Sequence, residues 1–144
     1  MNKFNLLASS LILCLGLAQE VSIGGLLPEY ALSFSMGKSN IEGTMQPGLF
    51  RENSGKVLTV YFNDTRILNG MKSNPKAVAA AIMAAIDFHE DELAEDGILP
   101  LPERLEIMAI GDEDTSIPTP KQMKEFLTVS GFSLINIKIW NTRG

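Results

Sequence analysis

The strongest constraint on the fold is a strand–helix–strand pattern in the C-terminal third of the chain. Residues 104–111 and 134–140 are apolar runs of the kind that form β-strands. Between them, Pro118 or Pro120 is placed to begin a helix, and Gly131 stands where a helix-ending glycine is expected. A connection of this length allows a right-handed crossover, so we expect the two strands to lie parallel in one sheet.

The central part of the chain adds further strands. Residues 56–62 form a β-branched and aromatic run, which predicts a strand, and residues 66–68 are predicted to return as the second strand of a hairpin that ends at Asn69-Gly70. Residues 31–36 alternate enough for a short strand. The remainder of residues 19–56 is weakly patterned, and we expect Pro47-Gly48 to break any element there.

A helix is predicted after the hairpin. Asn74 is a good N-cap residue and Pro75 suits the first helical position, where a missing N–H costs nothing. Apolar residues at helical spacing continue to Leu93, and Gly97 and Pro100 are expected to end the helix. The pattern as a whole predicts an α+β fold, with a mixed sheet of about four to five strands and two helices packed on one face.

The N-terminus carries the three-part pattern of a secretory signal. Lys3 precedes an apolar run over residues 4–17, and small residues stand at the −3 and −1 positions before Gln19. The run of about 14 residues is shorter than the roughly 20 that span a bilayer as a helix. Residues 1–18 are interpreted as a cleaved signal, with a short uncleaved anchor or a buried helix as the alternatives. Cys14 is interpreted as one more apolar residue of this leader.

The chain is divided on this basis into three parts. After the leader, we predict a linker with a short first strand over residues 19–50 and one α/β domain over residues 51–144, since 144 residues are typical of a single domain. A periplasmic or exported location follows from a cleaved signal, and a single N-terminal anchor in the inner membrane follows from a retained one.

Composition excludes several classes of function. The chain has 12 basic and 17 acidic residues, a net charge of −5, so a surface built for the phosphate backbone of nucleic acid is not expected. One Cys and one His leave no material for a cysteine-rich zinc site or a disulfide framework. We find no glycine-rich phosphate loop and no paired nucleophile and base, so we predict no cofactor and no enzymatic activity.

Two groups of side chains are weak candidates for a metal site. Asp112 and Asp114 follow a predicted strand in the run Asp-Glu-Asp-Thr-Ser, which is similar to the motif of phosphatases with an aspartyl nucleophile, but the later Lys and carboxylates of those enzymes have few counterparts here. His89 and Glu92 are three residues apart on a predicted helix and have the spacing of a shared ligand pair. The alternatives are a solvated acidic turn and a half-buried structural histidine.

Between Val57 and Trp140 the sequence has a predicted hairpin that ends in Asn69-Gly70, and later a strand, an acidic turn at Asp112, a helix, and a Gly131-Phe132 step into the last strand. This succession resembles the ExbD/TolR family of periplasmic transport subunits. The resemblance implies an exported domain that works by self-association and by contact with envelope proteins, including inner-membrane motor subunits. The family's transmembrane Asp has no counterpart, because no Asp precedes Asp64, so proton coupling is not carried over.

The last strand is the expected interaction site. An open sheet offers unpaired N–H and C=O groups to another chain at its edge, and Trp140 is a large aromatic residue near that edge. We therefore predict an interaction site made by Asp112, Asn136, Lys138 and Trp140, a protein partner in the cell envelope, and a homodimer. The alternative for Trp140 is a structural role as a lid on the core. Two other hypotheses stay open: a structural component of a virion or secretion assembly that retains residues 1–18 as a packed helix, and a small metal-assisted hydrolase that uses Asp112 and Asp114.

Overall fold

The computed structural model of the chain describes residues 28–48, 56–112 and 114–141, so the predicted leader at residues 1–18 lies outside the described residues. The described part contains β1 (Tyr30–Met36), β2 (Ser39–Gly48), β3 (Val57–Phe62), α1 (Arg66–Ser73), α2 (Pro75–Asp87), α3 (Glu90–Glu95), β4 (Arg104–Gly111), α4 (Pro120–Ser130) and β5 (Leu134–Asn141).

The strands form one five-stranded sheet in the order β1-β2-β3-β4-β5. The β1–β2 and β2–β3 pairs are antiparallel, whereas the β3–β4 and β4–β5 pairs are parallel. This confirms the predicted α+β fold with a mixed sheet, and it confirms that residues 104–111 lie parallel to residues 134–140. Strands β1 and β5 are the two edges of the sheet.

All four helices of the described residues contribute to one core on one face of the sheet. Alternate residues of the central strands point into it and are buried, for example Val60 on β3 and Ile107 on β4, against Ile82 of α2 and Phe126 of α4. In the sheet, β4 lies beside β3, and β5 lies on the far side of β4. Because each new parallel strand is added on the same side of the previous one, two right-handed crossovers place their helices on the same face. No helix of the described residues therefore packs on the opposite face, which we call the open face of the sheet.

The helix ends show local chemistry that the sequence predicted. The side chain of Asn74 accepts a hydrogen bond from the backbone N–H of Ala77 at 3.3 Å, with Pro75 at the first position of α2. Helix α4 begins at Pro120, where Thr119 and Gln122 form a reciprocal capping box. It ends at Gly131, whose φ of 85° lies in the left-handed region that favours glycine.

Strand β2 was missed by the sequence analysis, which assigned these residues to a linker. Only Ile41 and Met45 give β2 a buried apolar pattern, because the inward position between them is Gly43. A Cβ on Gly43 would lie 2.6 Å from the carbonyl oxygen of Tyr61, so the close approach of β3 requires a glycine there. Pro47 is tolerated inside β2 because β1 pairs only as far as Met45, which leaves one side of β2 free at Pro47.

The predicted hairpin strand at residues 66–68 is wrong, since these residues begin α1. The carboxylate of Asp64 accepts a hydrogen bond from the backbone N–H of Arg66 at 2.9 Å and starts the helix. An apolar pair such as Ile67-Leu68 is too short to separate a strand from a helix by its periodicity. Gly70 lies inside α1, where a Cβ would approach the sulfur of Met36 to 2.6 Å, so it serves close packing and not a turn.

The predicted first helix is divided into two. Helix α2 ends at Asp87 and α3 begins at Glu90, although Leu93 is buried as expected. The break at Phe88 and His89 turns the imidazole of His89 toward β1, where its Nε2 lies 2.6 Å from the carbonyl oxygen of Ala31. A contact with a distant strand therefore replaces the continuation of the helix.

Candidate functional site

The open face of the sheet is formed by the strand residues that alternate with the core residues. The register places Thr59, Glu106 and Asn136 side by side in one row across β3, β4 and β5. The next row is formed by Tyr61, Met108 and Lys138, and beyond it Ile110 lies beside Trp140. No helix of the described residues contributes to this face. Asn136 and Lys138 are exposed on it, whereas Thr59 is buried between its neighbours.

A polar contact connects the three parallel strands on this face. The Nζ of Lys138 lies 3.2 Å from a carboxylate oxygen of Glu106, and the hydroxyl of Thr59 donates to the other carboxylate oxygen at 3.4 Å. The side chain of Glu106 is 18% exposed and that of Lys138 is 51% exposed. A half-exposed pair of this kind contributes about 0–1 kcal/mol to stability, so its main effect is to orient Lys138 along the sheet.

An aromatic patch lies at the carboxyl end of the parallel strands. The rings of Tyr61 and Trp140 meet edge to face, with 6.4 Å between centroids and an interplanar angle of 62°. Met108 and Ile110, which lie on β4 between the two aromatic residues, are half-buried. We call Tyr61, Met108, Ile110 and Trp140 the aromatic patch. Trp140 was expected to take part in an interaction, whereas the other three residues were not identified from the sequence.

The two edges of the sheet differ. At the β1 edge, His89 contacts the carbonyl oxygen of Ala31, and the hydroxyl of Tyr30 donates to Asp96 just after α3 at 2.5 Å. At the β5 edge, no strand or helix of the described residues pairs with the outer side of the strand. Residues 134–141 contain no proline and one charged side chain, Lys138, so β5 has few of the features that prevent edge pairing.

The residues of β5 that were predicted to interact share the open face. Asn136 and Lys138 are exposed and Trp140 is half-buried. Strand alternation brings them together, because every second residue of a strand faces the same side. Asp112 follows the last row of β4, in which Gly111 lies beside Asn141, and so stands at the same end of the sheet as Trp140.

The carboxylate of Asp112 organises the turn after β4. One of its oxygens accepts hydrogen bonds from the backbone N–H of Asp114 at 2.9 Å and from the hydroxyl of Thr115 at 3.1 Å. The backbone N–H of Asp112 in turn donates to the same hydroxyl at 2.9 Å. Asp112 is exposed, so these hydrogen bonds lie in a solvated turn.

His89 forms a second polar centre, at the opposite edge of the sheet. Its Nδ1 lies 2.6 Å from a carboxylate oxygen of Glu92, and its Nε2 lies 2.6 Å from the carbonyl oxygen of Ala31. Both partners are acceptors, so the geometry suits the imidazolium, in which both nitrogens donate. The hydrogen bond that His89 donates to Glu92 raises the pKa of His89 above its ordinary value, with burial opposing the shift. We call this contact the His89 latch.

Tyr30 adds to the latch. Its ring lies against the ring of His89, with 5.6 Å between centroids. Burial, followed by the hydrogen bond to Asp96, raises the pKa of the Tyr30 hydroxyl well above its ordinary value, so this group is a donor at all physiological pH values.

The structure does not bring the metal candidates together. His89 lies beside β1 and Asp112 follows β4, with β2 and β3 between those strands. Within residues 28–48, 56–112 and 114–141, no group of three or more potential metal ligands is found.

A cavity of about 360 Å³ beside the β1–β2 turn is lined by small and apolar residues such as Met36, Gly70 and Ala77. No helix of the described residues has the length and apolar character needed to cross a membrane.

Comparison with protein-family models, with curated proteins and with solved structures finds no match for this chain. The relationship to the ExbD/TolR family is therefore a prediction from the sequence pattern. The function proposed below depends on the geometry of the sheet and its edges.

Proposed function

We propose that the chain is an exported, non-catalytic protein of the cell envelope that acts by pairing the edge of β5 with a strand of another protein chain. The observation that carries the proposal is the difference between the two edges. The His89 latch covers a carbonyl group of β1, whereas the outer side of β5 is bare in the described part of the chain and has one charged residue. An uncovered edge of eight residues is long enough for strand addition.

The side chains around β5 support the same function. Leu134 is 46% exposed, and the aromatic patch lies beside the other end of the strand. Interfaces with partner proteins are enriched in aromatic anchors of this kind, while backbone hydrogen bonds supply the pairing. Lys138 is oriented by Glu106 and offers a charge that a partner strand can recognise.

Kinship with the periplasmic domain of ExbD/TolR proteins is part of the proposal. It is supported by the order β4, α4, β5, with the Gly131-Phe132 step before β5. The helix α1 counts against it, because the resemblance implied a hairpin at that position. The family would supply an envelope partner, including inner-membrane motor subunits, and proton coupling is not proposed.

Export is tested by the mass of the N-terminus of the chain recovered from its cells. The signal pattern at residues 1–18 predicts Gln19 as the first residue. Met1 as the first residue would contradict a cleaved signal and would favour an anchor or the assembly hypothesis.

The use of the β5 edge is tested by photo-crosslinking inside the cell. Benzoylphenylalanine at exposed Asn136 should give discrete adducts, identified by mass spectrometry, whereas the same group at exposed Ser33 on β1 should give none. Ser33 is a matched control because it lies on the same open face at the opposite edge. Equal labelling from both positions, or none from Asn136, would contradict the proposed function.

A further inference from the structure

The side of β5 that faces the core is incompletely covered. On the neighbouring strand β4, the inward residues Leu105, Ile107 and Ala109 are at most 1% exposed. The inward residues of β5 pack against the same core but are only partly buried; they are Ile135, Ile137 and Ile139. Three partly exposed isoleucines in a row along a bare edge need an apolar row of the same length to cover them.

A second copy of the chain supplies such a row. In a closed dimer with two antiparallel edge strands, the two-fold axis is perpendicular to the sheet, so the two open faces lie on the same side. Directly opposed residues of two paired strands point to the same face of the sheet. In β5 the odd-numbered residues face the core and the even-numbered residues face the other side, so an odd residue must lie opposite an odd one and an even residue opposite an even one. The arrangement continues the five described strands into a ten-stranded sheet, with the helices of the described residues on one face.

The side chains of β5 select one register. When Ile137 lies opposite the partner's Ile137, Ile135 lies opposite the partner's Ile139, and the isoleucine row is continuous. On the open face, exposed Leu134 then lies opposite the partner's Trp140, and Asn136 lies opposite the partner's Lys138.

The adjacent registers are worse. A shift in one direction places Lys138 opposite the partner's Lys138, and like charges directly opposite each other destabilise a sheet. A shift in the other direction leaves Trp140 beyond the end of the partner strand, opposite no residue of β5. The register with Ile137 at the centre is the one that places Leu134 opposite the partner's Trp140 and also separates the two lysines.

We propose that β5 pairs antiparallel with β5 of a second copy of this chain, with Ile137 at the two-fold axis. The inference rests on the proposed function, since it names the strand that occupies the same edge. It adds a specific partner, a register and a set of opposed side chains.

Charge substitutions at Asn136 test the register, because this exposed residue lies opposite the partner's Lys138 twice in each dimer. Asn136→Glu should create two cross-strand ion pairs and lower the dimer dissociation constant about fivefold, and Asn136→Lys should raise it about fivefold. Ser33→Glu and Ser33→Lys are matched controls on the same face at the β1 edge and should change it by less than about twofold. The measurement is sedimentation velocity at low salt on the chain in the N-terminal form that its cells produce.

The outcomes separate this inference from the proposed function. A chain that stays monomeric, with or without Asn136→Glu, overturns self-pairing, and the proposed function stands if Asn136 still crosslinks to a different, identified protein in the cell. A dimer that weakens with both Asn136 substitutions overturns the register. A dimer that responds to Ser33 and not to Asn136 overturns both, because association then uses the β1 edge.

Discussion

The indole of Trp140 on β5 contacts the phenol ring of Tyr61 on β3 across the intervening strand β4, with 6.4 Å between the ring centroids. The contact connects the edge strand to the middle of the sheet on the face that no helix of the described residues covers. It holds Trp140 against the other residues of the aromatic patch, and the proposed interface depends on the position of this side chain.

The aromatic pair predicts a measurable coupling. Tyr61→Leu and Trp140→Leu should each lower the free energy of unfolding, and the double variant should lose less than the sum of the two. Edge-to-face pairs contribute about 0.5–1.5 kcal/mol beyond the area they bury, which is the expected coupling in a double-mutant cycle measured by chemical denaturation. Strictly additive losses would show that the rings do not interact.

The His89 latch predicts a pH-dependent stability. The folded state raises the pKa of His89 above its ordinary value of 6.5, so the latch stabilises the protein fully below that value and loses its contribution as pH rises through the higher folded pKa. Replacement by His89→Gln should therefore cost about 1–3 kcal/mol near pH 6 and less near pH 9, because hydrogen bonds to charged groups are in that range.

The groups that contact His89 show which second variant tests the origin of the pH dependence. Glu92 contacts Nδ1, the carbonyl oxygen of Ala31 contacts Nε2, and the Tyr30 ring lies alongside with its hydroxyl on Asp96. Glu92→Gln should reduce the pH dependence, since the Glu92 hydrogen bond is the largest cause of the shift. The measurement is the free energy of unfolding, taken from denaturation curves of the unaltered chain and both variants across this pH range. An equal loss of unfolding free energy for His89→Gln at both pH values would contradict the latch.

The same substitution to alanine should cost more stability at Gly43 than at Gly70. A Cβ at either Gly43 or Gly70 would approach a neighbouring atom to 2.6 Å, but the neighbour is the backbone oxygen of Tyr61 in one case and the flexible side chain of Met36 in the other. Gly43→Ala should lower the free energy of unfolding by about 1–3 kcal/mol, because the backbone of β3 cannot move aside easily. Gly70→Ala should cost less, since Met36 can rotate and alanine favours the helix by about 1 kcal/mol. Equal unfolding midpoints for the two variants would contradict the packing described for β2.

We predict that the carboxylate of Asp112 stabilises the turn after β4 and does not bind a cation. Asp112→Ala removes the acceptor of two hydrogen bonds and should lower stability by about 1–2 kcal/mol, whereas Asp112→Asn keeps a side-chain oxygen and should cost less. Thermal unfolding with and without Mg²⁺ or Ca²⁺ provides the second readout. A cation-dependent rise in the unfolding temperature that Asp112→Asn abolishes would favour the metal hypothesis instead.

Local chemistry made much of the fold predictable. Strands β3, β4 and β5 have inward apolar residues at every second position, and α4 carries both of its end signals in the sequence, at Thr119 and Gly131. Strand β2 could not be predicted because Gly43 interrupts its inward row, and α1 could not because Ile67-Leu68 fits a strand equally well. In both cases a neighbouring element, which the local pattern does not contain, determines the outcome.

Some residues of the candidate site could also be predicted from the sequence, and others could not. Asn136, Lys138 and Trp140 could be grouped from the sequence because strand alternation is local. Their neighbours Glu106 and Tyr61 could not be found, since the order of strands in the sheet brings them close. The spacing of His89 and Glu92 pointed to a shared interaction, but the contact with Ala31 depends on the packing of α2 against β1, which brings the residues after α2 close to that strand.

Disulfide formation between copies tests most directly whether β5 pairs with itself. Asn136→Cys and Lys138→Cys, each combined with Cys14→Ser to remove the one native cysteine, are mixed in equal amounts and oxidised under mild conditions. The account predicts an efficient crosslink between the two variants in the mixture and little crosslinking in either variant alone, because residue 136 lies opposite the partner's Lys138 position. Efficient crosslinking of Lys138→Cys with itself, or no crosslink in the mixture, would contradict it.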